Sequence, residues 1–315
     1  TGVPYTSIIT AALLPAMLYF IAVWVGINAF ATHHQLPGLP STDQPSIRIV
    51  LVTTAFFALP FLVLLERMFL GGFTPQFAAS VAILIAFIML LLDARLTFSW
   101  GRTLGRLASV SINAGRQIGM IAAIIICASI IVGVLSQTGL GVKLTSLILS
   151  ASSQMLWPAL LLTAGACLIL GMEVPTTAAY VICVSVAGPA LEALGISALQ
   201  AHLFIFWFAL LSTITPPVCG AVFIAAAMAD VNWLKVAGRA MLLGVGLYLI
   251  PLGMIANPAL IKFETTPFLA ITAAVKMGLG LSAISFGCIA SLSIINRALL
   301  LITGFFLFFT PISLI

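Results

Sequence analysis

The sequence predicts an all-α polytopic membrane protein, and three observations carry that reading. Of its 315 residues 63% are hydrophobic and 6% charged, with a mean hydropathy of +1.29. A soluble domain carries about 25% charged residues, so this chain cannot present a soluble surface. Uncharged stretches recur, among them 1–42, 68–92, 117–142, 144–172 and 193–229. Many reach the roughly 20 residues that a spanning helix needs. They are continuous and rich in Leu, Ala, Ile and Phe, unlike the alternating segments of about 10 residues in a membrane β-barrel.

Residues 8–30 read as a first span, followed by the proline-broken loop "LPGLPSTDQP". Residues 48–70 form a second span, with Glu66 and Arg67 near its end, and 74–93 a third. The interval 93–116 carries Arg95, Arg102, Arg106 and Arg116 against Asp93. Phe98, Trp100, Leu104 and Leu107 fall at helical spacings, which predicts a short amphipathic helix in the membrane interface. The arginine excess puts it on the cytoplasmic side. A span over 117–137 and a short segment at 142–152 follow.

Two helix interruptions come next. In "GMEVPTTAAY" (171–180) a helix ends near Gly171, Pro175 breaks it, and a second piece restarts at Thr176 and Thr177, residues suited to capping. The run 193–229 is too long for one helix and contains "STITPPVCG" (212–220). Pro216 and Pro217 have no N–H to give, so carbonyls such as that of Ser212 lose their helical partners. Lipid satisfies no free backbone group, so such breaks persist only inside protein or around a wet cavity. Freed carbonyls suit a cation such as Na⁺, and a half-helix N-terminus suits a carboxylate. A proline-kinked packing helix is the competing reading for either break. Glu173 has two readings: an intramembrane functional carboxylate, or a hairpin-tip residue reaching water.

"ADVNWLKVAGRAM" (229–241), with Lys235 and Arg239, marks a second cytoplasmic edge before a span over 240–257. Residues 268–315 hold one or two further spans, interrupted by Lys276 and Arg297. The opening 20 residues echo the 20 from Ala229 at a constant offset. Chance similarity between apolar helices would also produce this. If the echo is a repeat, the copies lie in opposite orientation, as in inverted-repeat transporters.

Other chemistry is disfavoured. The net charge of +5 is scattered and reads as basic loop edges, with no nucleic-acid face. The five cysteines sit in apolar runs without a C-x-x-C pair and read as small buried residues. No H-E-x-x-H, G-x-S-x-G or P-loop is present, so an enzyme is not expected. The chain begins with Thr and ends inside an apolar run, which raises the expectation of a fragment.

Four stretches carry a family resemblance: "SIIVGVLSQTGLGVKLTSLILS", "LILGMEVPTTAAYV", "HLFIFWFALLSTITPPVCGAVFIAAAMA" and "IPLGMIANPAL". They resemble the large membrane subunit of tripartite ATP-independent periplasmic (TRAP) transporters, closest to the fused-permease branch. The resemblance is strongest over 93–262; GM-x-x-PTTAAY and ITPPV are specific only as a pair. It implies an elevator-type secondary transporter of the bacterial inner membrane, with helical hairpins and discontinuous helices. A periplasmic substrate-binding protein would deliver an organic anion such as a carboxylate, with Na⁺ coupling and a small membrane subunit or its fused equivalent. It further implies a Na⁺ site at Gly171, Ser212, Thr215 and Val218, and substrate or hairpin-tip contacts at Thr176, Thr177 and Pro216. No other cofactor is expected.

This chain departs from the family pattern at Glu173, where small residues are usual, at Thr213, where Asn is common, and at Ser212, where many members have Gly. The resemblance divides the chain into 1–92, closing a first repeat with connecting helices; 93–116, the interfacial segment; 117–262, the second inverted repeat; and 263–315, the C-terminal helices. The hairpin of the first repeat is expected upstream of Thr1. The other functional class is a non-transporting membrane scaffold or truncated permease fragment.

Overall fold

The computed structural model describes residues 2–38, 45–91, 100–171, 176–217 and 219–311. They form two compact units, one of residues 1–36 with 124–315 and one of 37–123. All regular structure among them is helical. Among the described residues, six helices are long and apolar enough to cross a membrane.

The unit 37–123 holds α2 (Ile47–Phe69), α3 (Pro75–Leu90) and the first part of α4 (Trp100–Thr138). Thr74 caps α3 by accepting from the Phe77 N–H, and Pro75 takes the first helical position, where its missing donor costs nothing. α2 and α3 pack on each other, and Arg67 pairs with Glu66 at 3.0 Å. From Trp100 onward, the expected short interfacial helix is the start of the 39-residue α4. Its arginines lie along one helix because charge does not break a helix and no proline intervenes before Thr138. Residues 93–99 lie outside the described residues.

The other unit holds α1 (Tyr5–His33), the end of α4, and α5 (Leu140–Ala151) to α13. The members are α6 (Leu156–Leu170), α7 (Thr176–Ala193), α8 (Ala198–Leu211), α9 (Gly220–Ala229), α10 (Trp233–Leu243), α11 (Val245–Ala256), α12 (Pro267–Ile289) and α13 (Ile294–Phe309). α8 opens with a reciprocal cap: Ser197 accepts from the Gln200 N–H and donates to Gln200 Oε1 at 3.0 Å. The polar interval from Asn232 is helical too, because the Asn232 side chain accepts from the Leu234 N–H at 2.9 Å and starts α10. Lys276 interrupts nothing: it lies inside α12, and Arg297 lies in α13.

One core joins α1, α5–α8 and α11–α13, with Phe204, Leu160, Ile250, Met277 and Phe308 fully buried. The outer faces stay apolar, Phe20 at 69% exposure and Ile294 at 87%. Lipid solvates these faces without cost, so burial alone does not drive association; close backbone approach does. At the α12–α13 crossing, a Cβ on Gly280 would meet the Gly304 carbonyl at 2.7 Å. A Cβ on Gly246 would lie 2.9 Å from that of Ala22, and one on Gly26 3.4 Å from Leu243. Rising numbers in α1 thus meet falling numbers in α10–α11, so the two echoing segments run antiparallel. Their helices also start at equivalent echo positions, Tyr5 and Trp233.

Candidate functional site

α6 and α7 pack against each other and both pack against α8. α6 ends at Leu170, α7 starts at Thr176 and the two pack on each other, so they form a helical hairpin, with the buried Cys167 and Cys183 both in its core. All five cysteines are free thiols. The tip, 172–175, lies outside the described residues, and with it Glu173. Thr176 and Thr177 open α7, the first half-buried and the second exposed.

The second interruption follows α8. Residues 212–217 turn, and α9 resumes at Gly220. The pieces on either side have 14 and 10 residues, each too short to cross about 30 Å of hydrocarbon. Pro216 lies in this turn, half-buried; Val218 lies outside the described residues.

The two interruptions meet. The buried Ser212 hydroxyl lies 2.8 Å from the Gly171 carbonyl and 2.7 Å from that of Ala209. Contact this close needs a residue without a side chain, since a Cβ on Gly171 would fall 2.6 Å from Ser212 Oγ. The accounting at this junction is unbalanced. Ser212 has one proton for two carbonyls. The Gly171, Ser212 and Thr213 carbonyls would take their helical donors from positions 175, 216 and 217, all proline. Both α6 and α8 also end here, with Gly171 and Ser212 as C-caps and no basic residue in either last turn. Each C-terminus carries a partial negative charge of about half an electron. Surplus oxygens between two such ends favour a cation.

Thr215 faces elsewhere. Its hydroxyl lies 2.7 Å from the Leu211 carbonyl and 2.7 Å from the Tyr248 hydroxyl of α11. Gly171 and Ser212 are therefore brought into contact, while the Thr215 hydroxyl is bonded to the end of α8 and to α11. Tyr248 escaped the sequence reading because no local pattern marks it. His202 does have a partner: its Nδ1 lies 2.6 Å from the hydroxyl of Tyr180, the tyrosine of GMEVPTTAAY.

A cavity of about 390 Å³ opens beside the turn, with walls from Tyr19, Phe206, Trp207, Leu210, Thr213 and Leu247. It is apolar and aromatic, and of its lining residues only Tyr19 and Thr213 carry hydroxyls.

Comparison with known proteins follows the same line. A family model described as Tripartite ATP-independent periplasmic transporter, DctM component, matches residues 1–269. The match takes in residues 1–92, where the quoted motifs are absent. A search of curated proteins finds no match. The helical membrane fold, the hairpin meeting a broken helix, and a family match over most of the chain agree: this protein belongs to the DctM family, as a polytopic membrane permease component of a tripartite ATP-independent periplasmic transporter.

Proposed function

We propose that the protein imports an organic anion, a carboxylate, by Na⁺-coupled secondary transport. The observation that supports this best is the junction of Gly171 and Ser212, where two helix C-termini without a basic residue converge with carbonyls whose helical donor positions are prolines. Such oxygens, all neutral, make a weak hard-cation site of the kind Na⁺ occupies reversibly. The residues proposed for Na⁺ are Gly171, Ser212, Thr215 and Val218, with Gly171 and Ser212 the pair in contact. The opposing helix starts, at Thr176–Thr177 and beyond Pro216, present N–H groups and a positive dipole end to the substrate carboxylate.

In this reading the antiparallel echo of α1 and α10–α11 is the trace of an inverted repeat, and transport is an elevator movement of the hairpin-bearing part. A periplasmic binding protein delivers the anion, a small membrane subunit or fused equivalent completes the permease, and the assembly resides in the bacterial inner membrane. Proteoliposomes holding the complete transporter, supplied with binding protein and a radiolabelled carboxylate panel, test this. Accumulation under an inward Na⁺ gradient, lost when choline replaces Na⁺, is expected. Equal uptake in choline would overturn Na⁺ coupling.

A further inference from the structure

We infer that the cavity beside the turn takes the apolar body of the transported anion, so that the substrate is a monocarboxylate with an aromatic or branched body. This deepens the carboxylate-import reading and rests on it. Position is the first ground. The cavity is lined by Thr213 and Ile214 of the helix interruption, by Tyr19 at the middle of α1 and by Leu247 of α11. Tyr19 and Leu247 stand at equivalent places in the echo between the opening residues and those from Ala229. Inverted-repeat transporters hold their substrates near the bilayer midplane, where the repeats meet and helices are discontinuous. The cavity lies at such a place.

The walls decide the class of guest. A volume of about 390 Å³ is at the small end of ligand pockets, about 300–1,000 Å³, and more than twice the roughly 150 Å³ that admits benzene. None of the lining residues is charged. A second carboxylate would therefore lose its hydration without gaining a partner, and a sugar acid would bury hydroxyls that need several. Two donors are nevertheless on offer. Trp207 is 6% exposed and meets the Tyr19 ring edge-on at 6.4 Å. Among the described residues neither its indole N–H nor the Tyr19 hydroxyl has a hydrogen-bond partner. Thr213 already gives its proton to the Leu210 carbonyl at 2.8 Å. A plain hydrocarbon guest, such as a lipid chain, would leave both donors unsatisfied, whereas an organic acid brings oxygens that accept from them.

The test is fluorescence titration of the complete transporter with Trp207 as its single tryptophan, beside a second protein that keeps only Trp24, which is 68% exposed. The acids are hydrocinnamate, isocaproate, succinate and gluconate. A saturable change is expected at Trp207 and none at Trp24. The two apolar acids should half-saturate at concentrations about tenfold or more below those of succinate and gluconate. Ala16→Phe builds a ring into the cavity from α1 and should raise half-saturation by the apolar acids about tenfold or more. A Trp207 that responds to none of the four overturns the inference. So does equal or tighter binding of succinate or gluconate, and so does apolar-acid binding that Ala16→Phe leaves unchanged. Quenching of Trp207 by brominated phospholipid chains that saturating hydrocinnamate does not relieve would make lipid the occupant and overturn it too. Each of these leaves Na⁺-coupled carboxylate import standing, which the exchange of Na⁺ for choline in proteoliposomes decides separately. If Ala16→Phe does not fold, the ranking of the four acids at Trp207 decides.

Discussion

Ser212 of the broken helix places its hydroxyl 2.8 Å from the carbonyl of Gly171 at the end of the hairpin's first arm, forty-one residues earlier in the chain. That single bond ties the two interruptions into one site. It also makes glycine obligatory at this end of α6, and the first prediction follows from that. Gly171→Ala puts a Cβ 2.6 Å from Ser212 Oγ and 2.8 Å from Ser212 Cβ. Overpacking of this kind costs about 1–3 kcal/mol. Thermal unfolding should show the loss. Ser212→Gly in the same chain removes both Ser212 atoms but not the Cys167 carbonyl, 2.9 Å from the new Cβ, and should restore part of the melting temperature; no restoration would mean that the backbone contact dominates.

A second pair of helix C-termini meets elsewhere in the molecule, with a different solution. Asn257, the C-cap of α11, and Thr310, the C-cap of α13, both receive the ammonium of Lys276, Asn257 Oδ1 at 3.2 Å. Asn257 is buried and also donates to the Phe308 carbonyl at 3.1 Å. Removing the amide takes one of two oxygens from the ammonium and leaves the Phe308 carbonyl without its donor; removing the lysine leaves no charge behind. Asn257→Leu should therefore destabilise by about 3 kcal/mol and Lys276→Met by less than half of that. Their combination should recover part of the Asn257→Leu loss. Thermal melts of the three variants decide it, and an additive double variant would contradict the reading. Where this pair of C-termini has a built-in cation, the Gly171–Ser212 pair has no basic residue in either last turn.

The orientation of the chain gives a third prediction. Arg239 lies over the Phe30 ring at 5.3 Å, and His34 packs edge-on to the same ring at 4.2 Å. The end of α1 and the start of α10 therefore share one basic edge, which the positive-inside rule assigns to the cytoplasm. Lys235 is exposed on that edge. A Lys235→Cys protein should react with a membrane-impermeant maleimide in inside-out vesicles and stay unlabelled in intact cells. Efficient labelling of intact cells would reverse the topology.

The parts of the site legible in the sequence are those set by covalent chemistry. Proline has no N–H wherever it sits, so Pro175, Pro216 and Pro217 announced both interruptions and the orphaned carbonyls. The Ser212 carbonyl could be named for the same reason, whereas Gly171 as a cation ligand came from the family resemblance. What stayed hidden depends on packing between distant elements. Tyr248 meets Thr215 only because α11 lies along α8, and Tyr180 meets His202 only because α7 does. Charge misled in the other direction. Arg102, Arg106, Arg116 and Lys276 suggested boundaries, yet the helices run through them. A long side chain on a helix can carry its charge to a partner or to the interface without breaking a backbone bond.

Whether the oxygens at the Gly171–Ser212 junction hold the coupling cation is decided by equilibrium binding of ²²Na⁺ to the purified transporter, parent against Ser212→Ala. Alanine removes the hydroxyl that aligns the Gly171 carbonyl and leaves every backbone oxygen in place. Saturable binding is expected in the parent, with a dissociation constant about tenfold higher in Ser212→Ala at unchanged stoichiometry. Superimposable isotherms for two equally folded proteins would contradict a cation held at this junction.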